Sequence, residues 1–192
     1  MKNSVKALFF VGILFFSSNS FSQTEEKGTK EEKGPHLKKT HTKIQEVVNL
    51  DSTSANEILK RAVNWVKEES ARFIKTNGTT TGSKAECVAS FTVKPKELNP
   101  QADFTGKITM HVTIDCKENK YRYVISKLVH TATNGESSGG DIDNIIPDCG
   151  GMHMPENTWK KLKGEALKSA SMIVSELKDA MYKSVNSGDD KW

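Results

Sequence analysis

The densest run of chemically capable side chains is Cys149-Gly150-Gly151-Met152-His153-Met154, which gathers a thiol, two thioethers and an imidazole within six residues. Soft donors of this kind favour copper(I) and, in part, zinc, so Cys149, Met152, His153 and Met154 form a candidate metal set. No repeated Cys-x-x-Cys spacing accompanies them, and a disulfide or a packing role competes, because methionine fills irregular gaps under helices. Upstream, Gly135-Glu136-Ser137-Ser138-Gly139 matches the Gly-x-Ser-x-Gly pattern in which a strained turn lifts a nucleophilic serine above a parallel sheet. Here Gly139-Gly140-Asp141 follows where a helix should start, so a polar loop explains Ser137 better. Asp141, Asp143 and Asp148 make the same stretch acidic, but an EF-hand loop needs a glycine at its sixth position, and Ile145-Ile146 occupies that region. His111, flanked at alternate positions by Thr109 and Thr113, could ligate or titrate near neutral pH, although an exposed strand histidine is the commoner case. Paired carboxylates, a catalytic triad and a complete metal constellation are all missing, so the sequence predicts a protein that is not an enzyme and carries no cofactor.

Three cysteines, Cys87, Cys116 and Cys149, constrain the compartment and the fold together. In an oxidising compartment, thiols near one another tend to pair, and the simplest arithmetic is one disulfide plus one free thiol. Cys87 and Cys116 are the expected pair if their segments form a hairpin, because both then point to its apolar side. A bridge from Cys149 through its long loop is the alternative.

These residues need elements to position them. The chain starts with Lys2 and Lys6, then the apolar run Ala7 to Phe16, then Ser20 and Ser22 at signal-peptidase spacing ahead of Gln23. The run is too short to span a bilayer, so residues 1–22 are predicted to be a cleavable signal peptide and the mature chain to hold no transmembrane span. Cleavage removes two lysines and no acid, taking the net charge from +4 to +2 (26 basic against 24 acidic). That balance gives no electrostatic reason to expect nucleic acid. Residues 23–43, with Glu-Glu-Lys-Gly occurring twice, are almost devoid of apolar side chains and predict a flexible charged tether. Residues 44–185 then supply one domain, and 186–192 a disordered tail.

Within the domain, Ile44 to Val48 reads as a short strand. Ser54 and Glu57 form a capping-box pattern ahead of Ile58, Leu59, Ala62, Val63, Trp65 and Val66, which recur at helical spacing. Asn77-Gly78 predicts a turn into three antiparallel strands. The cleanest alternation in the chain sets Ile108, Met110, Val112, Ile114 and Cys116 against Thr109, His111, Thr113 and Asp115. Glu118-Asn119-Lys120 turns into Tyr121 to Ser126. Asn134 to Pro155 has no sustained period and predicts a long loop. Asn157 or Thr158 starts a second helix with a stripe from Trp159 to Met181. The fold class is therefore α+β, an antiparallel sheet of four to five strands with two helices packed on one face and the other face wet.

This order, β-α-β-β-β-β-α, resembles the exported family of unknown function with a TATA-binding-protein-like (TBP-like) fold found mainly in Bacteroidetes. The resemblance rests on Ile58 to Trp65, Gly106-Lys107-Ile108 through Ile114, Lys120 to Ser126, and Trp159-Lys160-Lys161-Leu162, and covers residues 44 to 182. It implies a fold and an export route, and supplies no catalytic residues. DNA binding does not follow from the fold name: function lives in sites, and the face that would meet DNA carries Thr109, His111, Thr113 and Asp115, which are polar and not positive. The sequence thus points to a periplasmic or extracellular binding or envelope-accessory module. Thr109, His111 and Thr113 with the 131–155 loop would form its contact surface, and an unidentified ligand or envelope protein would be its partner. A small metal-handling protein using Cys149, Met152, His153 and Met154 is the alternative.

Overall fold

In the structure, a computed structural model, residues 41–96 and 103–183 are described. The expected signal peptide, the tether up to residue 40 and the tail lie outside the described residues. Contacts divide the chain between Lys38 and Lys39, and all described residues fall in the second unit, Lys39–Trp192. Its elements are β1 (Ile44–Asn49), α1 (Ala55–Lys67), β2 (Ile74–Thr81), β3 (Lys84–Val93), β4 (Gly106–Lys117), β5 (Lys120–Ala132), β6 (Gly140–Asp141) and α2 (Glu156–Tyr182). The sheet runs β1-β5-β4-β3-β2 with every pair antiparallel, and β6 adds to β5 beyond the end of β1.

The sheet is one-sided because its alternation is strict. Ile108, Met110, Val112, Ile114 and Cys116 of β4 are at most 1% exposed, while Lys107, His111 and Lys117 stand in solvent. Both helices lie over the buried side. Ser54 caps α1, its Oγ accepting from the Glu57 backbone N–H at 3.3 Å, and Ile58, Ala62, Trp65 and Val66 turn inward. From α2, Trp159, Leu162, Ala166, Ala170, Ile173, Leu177 and Met181 are buried at helical spacing. Each large side chain so covered contributes roughly 1.5–3 kcal/mol. No helix among the described residues is long and apolar enough to cross a membrane.

Three sequence expectations change. Asn77-Gly78 is not the hairpin turn: it lies inside β2 at a register shift between Thr76 and Thr79, with Asn77 at φ 54°. The backbone hugs α1 there, so that a Cβ on Gly78 would meet Val66 Cγ1 at 2.6 Å. The turn falls instead at Gly82, φ 58°. Second, Cys87 and Cys116 are both buried and both free. Because β3 begins at Lys84, Cys87 lies opposite Val112 and not at the strand start. Four residues of strand, about 13 Å, then separate it from the level of Cys116, against the roughly 7 Å limit for a bridge. Burial pushes both thiols up to about 11. Third, the long loop contains a strand, β6, and is well anchored.

One irregularity in β5 decides what lies beneath that loop. Thr109 pairs with Val129, yet His111 pairs with Ser126, so β5 carries one extra residue at Lys127, φ 54°. Inward positions switch there from odd (Tyr121, Tyr123, Ile125) to even (Leu128, His130, Ala132). The bulge thereby drives an imidazole into the core.

Candidate functional site

On the open side of the sheet, His111 lies at the centre of a cross-strand row formed with Thr76, Val88 and Ser126. The next row is Glu86, Thr113 and Val124, and Thr113 Oγ1 donates to Glu86 Oε1 at 3.2 Å. Beyond it Arg122 donates through Nε and Nη2 to one oxygen of Asp115 at 3.1 and 2.6 Å, and Val47 lies beside Arg122 with 57% of its surface exposed. A shallow hollow of about 380 Å³ opens at this end, bordered by Val47, Ser83, Asp115, Lys117, Lys120 and Arg122. Thr109, His111 and Thr113 therefore share one face, rich in hydroxyls, with Arg122 paired to Asp115 and Lys84 to Glu86.

The loop after β5 is organised around His130, which is fully buried. The Gly139 N–H donates to its Nδ1 at 3.0 Å, which leaves the proton on Nε2 to donate to the Phe104 carbonyl at 3.2 Å. Burial lowers its pKa below 6.5, the Phe104 bond opposing. Gly139 is pressed against Trp159 so closely that a Cβ would lie 2.3 Å from the indole, whose N–H donates to the Asn144 carbonyl at 3.0 Å. Nothing in the sequence pattern marked His130; only knowledge of the bulge would have found it.

The residues of the proposed soft-metal set are turned apart. Met154 is fully buried, Met152 stands wholly in solvent, and His153 stacks edge-on to Phe104 with centroids 6.1 Å apart. Cys149 is half-buried with its thiol pKa raised, burial being the main cause. His153 Nε2 instead meets Ser137 Oγ at 3.0 Å, while Asn134 Nδ2 donates to the same oxygen at 2.8 Å. Ser137 is 3% exposed, and no third group among the described residues orients the other His153 nitrogen. The contact ties the loop shut on itself.

A different group draws donor atoms together. His41 Nδ1 lies 3.0 Å from Asp141 Oδ2 and 3.9 Å from Asp143 Oδ2, and the three donor atoms are all within 4.8 Å of one another. An imidazole and two carboxylates suit a borderline divalent ion such as zinc. The Thr42 backbone N–H at 2.5 Å and the Thr42 hydroxyl also donate to Asp143, so the group already serves to fasten residues 41 and 42 beside β6. The acidic stretch of Asp141, Asp143 and Asp148 is legible in the sequence; that His41 joins the first two across a hundred residues is not.

A one-sided antiparallel sheet with two helices on its inner face defines the TBP-like α+β class. Residues 45–131 match the model of the family described as a domain of unknown function (DUF4468) with TBP-like fold, as the motifs at Ile58, Gly106 and Lys120 imply. Two crystal structures share the architecture. A TBP-like protein from Parabacteroides distasonis ATCC 8503 aligns with TM-score 0.55 at 18% identity over 75% of this chain and 94% of that one. A DUF4468 family protein from Bacteroides ovatus ATCC 8483 aligns with TM-score 0.55 at 9% identity over 78% and 90%. No curated protein matches the chain.

Proposed function

We propose that the protein is exported and works as a non-enzymatic binding module of the cell envelope, offering its open sheet face to another envelope component. The observation that carries this reading is the one-sided burial of β4: Thr109, His111 and Thr113 lie together on a face that no helix covers, beside the hollow at Val47 and Arg122. Nucleic acid is not the partner we propose, since Arg122 is paired with Asp115 and the centre of the face carries Thr109, His111 and Thr113, which are polar and not cationic. The mature protein should co-sediment with envelope fragments of the producing cells. The triple variant Thr109→Lys, His111→Glu, Thr113→Lys should be released from them while keeping its melting temperature. Equal retention of the variant would refute the reading, as would turnover of a substrate that Ser137→Ala abolishes.

The second reading is metal handling, and the specific observation favouring it is the convergence of His41, Asp141 and Asp143. Elemental analysis decides: stoichiometric zinc or copper lost on Asp141→Asn assigns this group, whereas loss only on Cys149→Ser assigns the Cys149–Met154 loop.

A further inference from the structure

One cavity faces neither the open sheet nor the loop. The 27 residues of α2 run about twice the length of the 13 in α1, roughly 40 Å against 20 Å. Ser70, Lys75 and Arg61 fasten the last turns of α2, and Asn144 holds its first turn through Trp159. Between those anchorages, α2 stands off the ends of β2 and β3. The gap is a cleft of about 720 Å³.

Its chemistry is divided. Phe73, Leu162 and Met172 form an apolar floor with Phe91, whose ring meets that of Phe73 edge-on at 6.1 Å. Around it, among the described residues, stand Arg72, Lys94, Lys96 and Lys161, four cations against one lining carboxylate, Glu165. None of the four is in a close ion pair among the described residues. Asp103, its carboxyl held low chiefly by hydrogen bonds from Thr105, stands only near enough to Lys94 to be lowered slightly further by it. Arg61, Lys75, Arg122, Lys160 and Lys178, by contrast, each have a carboxylate partner. Lys161 Nζ donates to the Lys96 carbonyl at 3.2 Å, and Arg72 Nη1 rests 3.8 Å from Met172 Sδ. A solvated lysine face would scatter its charges outward; here they ring a hydrocarbon floor of small-molecule size.

We propose that this cleft binds a single anionic amphiphile, an acidic headgroup at the Arg72, Lys94 and Lys161 rim with its hydrocarbon tail on the Phe91 and Met172 floor. Charge complementarity selects the anion, the floor selects the tail, and the volume suits one molecule in monomeric form and not a bilayer surface. The site is separate from the open face, so either reading stands without the other.

Titration calorimetry of the mature protein tests it with dodecanoate and dodecyl phosphate below their micellar concentrations. Both should bind saturably at one per chain and more weakly as salt is raised. Inorganic phosphate and the nonionic dodecyl maltoside should each bind at least about tenfold more weakly, as each lacks half of the recognition. Lys94→Gln with Lys161→Gln should cost about tenfold in affinity at unchanged melting temperature, and Met172→Gln should weaken dodecanoate binding by making part of the floor polar. The Thr109, His111, Thr113 triple variant should bind dodecanoate like the wild type. The proposal is overturned if neither amphiphile binds saturably or if the double lysine variant binds equally well. It is overturned equally if inorganic phosphate alone binds as tightly, or if only phosphatidylglycerol vesicles are bound.

Discussion

β5 and the 133–155 segment that follows it bury side chains by different means. In β5 the ladder to β4 satisfies the backbone, and burial falls on alternate residues whatever their detail. In the loop, burial falls at Ser137, Ile142 and Met154 without period. Its backbone is held by scattered single bonds, some between backbone groups, such as the Asp148 N–H to the Gly139 carbonyl, and some from side chains: Asn134 Oδ1 takes the Ser137 N–H, Ser138 Oγ the Ala132 N–H and His130 Nδ1 the Gly139 N–H. A strand built this way tolerates any swap that keeps volume and alternation. The loop tolerates changes position by position, because each pin is made once.

The contrast breaks most forcefully at Trp159, where the two regions meet. Trp159→Ala removes both the cover over Gly139 and the hydrogen bond to Asn144, and should cost about 3–5 kcal/mol in urea denaturation. Next in size, Gly139→Ala should cost about 2–3 kcal/mol, since its methyl meets a ring held on both sides, whereas Gly135→Ala, with open space around it at φ 74°, should cost about 1 kcal/mol from backbone strain alone.

His130 sharpens the comparison through pH. Its folded pKa lies below 6.5, so the unfolded chain takes up the proton first as pH falls. Stability is therefore full above pH 6.5 and declines below it until the folded pKa is passed. Glu46, held low chiefly by its hydrogen bond from Lys178, releases its own stabilisation only below the carboxylate value of 4.5, so the two windows separate. Denaturation midpoints at pH 7.5 and about 5.5 should differ for the wild type and differ less for His130→Asn, which itself costs about 1–3 kcal/mol. Smaller still is a chemical difference: Cys149 should react with a thiol reagent in the native protein, while Cys87 and Cys116, with pKa values near 11, should react only on unfolding.

What could be read in the sequence follows the same division. The β4 alternation, the Trp159-to-Met181 stripe and the Glu118-Asn119 turn are periodic or local, and each is where the residues place it. The bulge at Lys127 is neither, for lysine at positive φ has no sequence signature, and so His130 was missed. Asn77-Gly78 was misplaced because the pair accepts positive φ in a bulge as readily as in a turn. The cysteine pairing failed by register: knowing that both thiols face inward does not say how far apart along the strands they lie. That Thr109, His111 and Thr113 share the open face was legible because a strand's parity suffices; Ser137–His153 and His41–Asp141 are single long-range contacts with no repeating pattern to betray them.

The sheet is sealed on one side and open on the other, and two adjacent residues test this most directly. Equilibrium unfolding of Val112→Lys and His111→Lys should separate sharply: a buried, unpaired ammonium at position 112 should cost more than about 3 kcal/mol or prevent folding, while the change at 111 should stay within about 0.5 kcal/mol of the wild type. Equal losses at the two positions, or a greater loss at 111, would contradict the one-sided sheet.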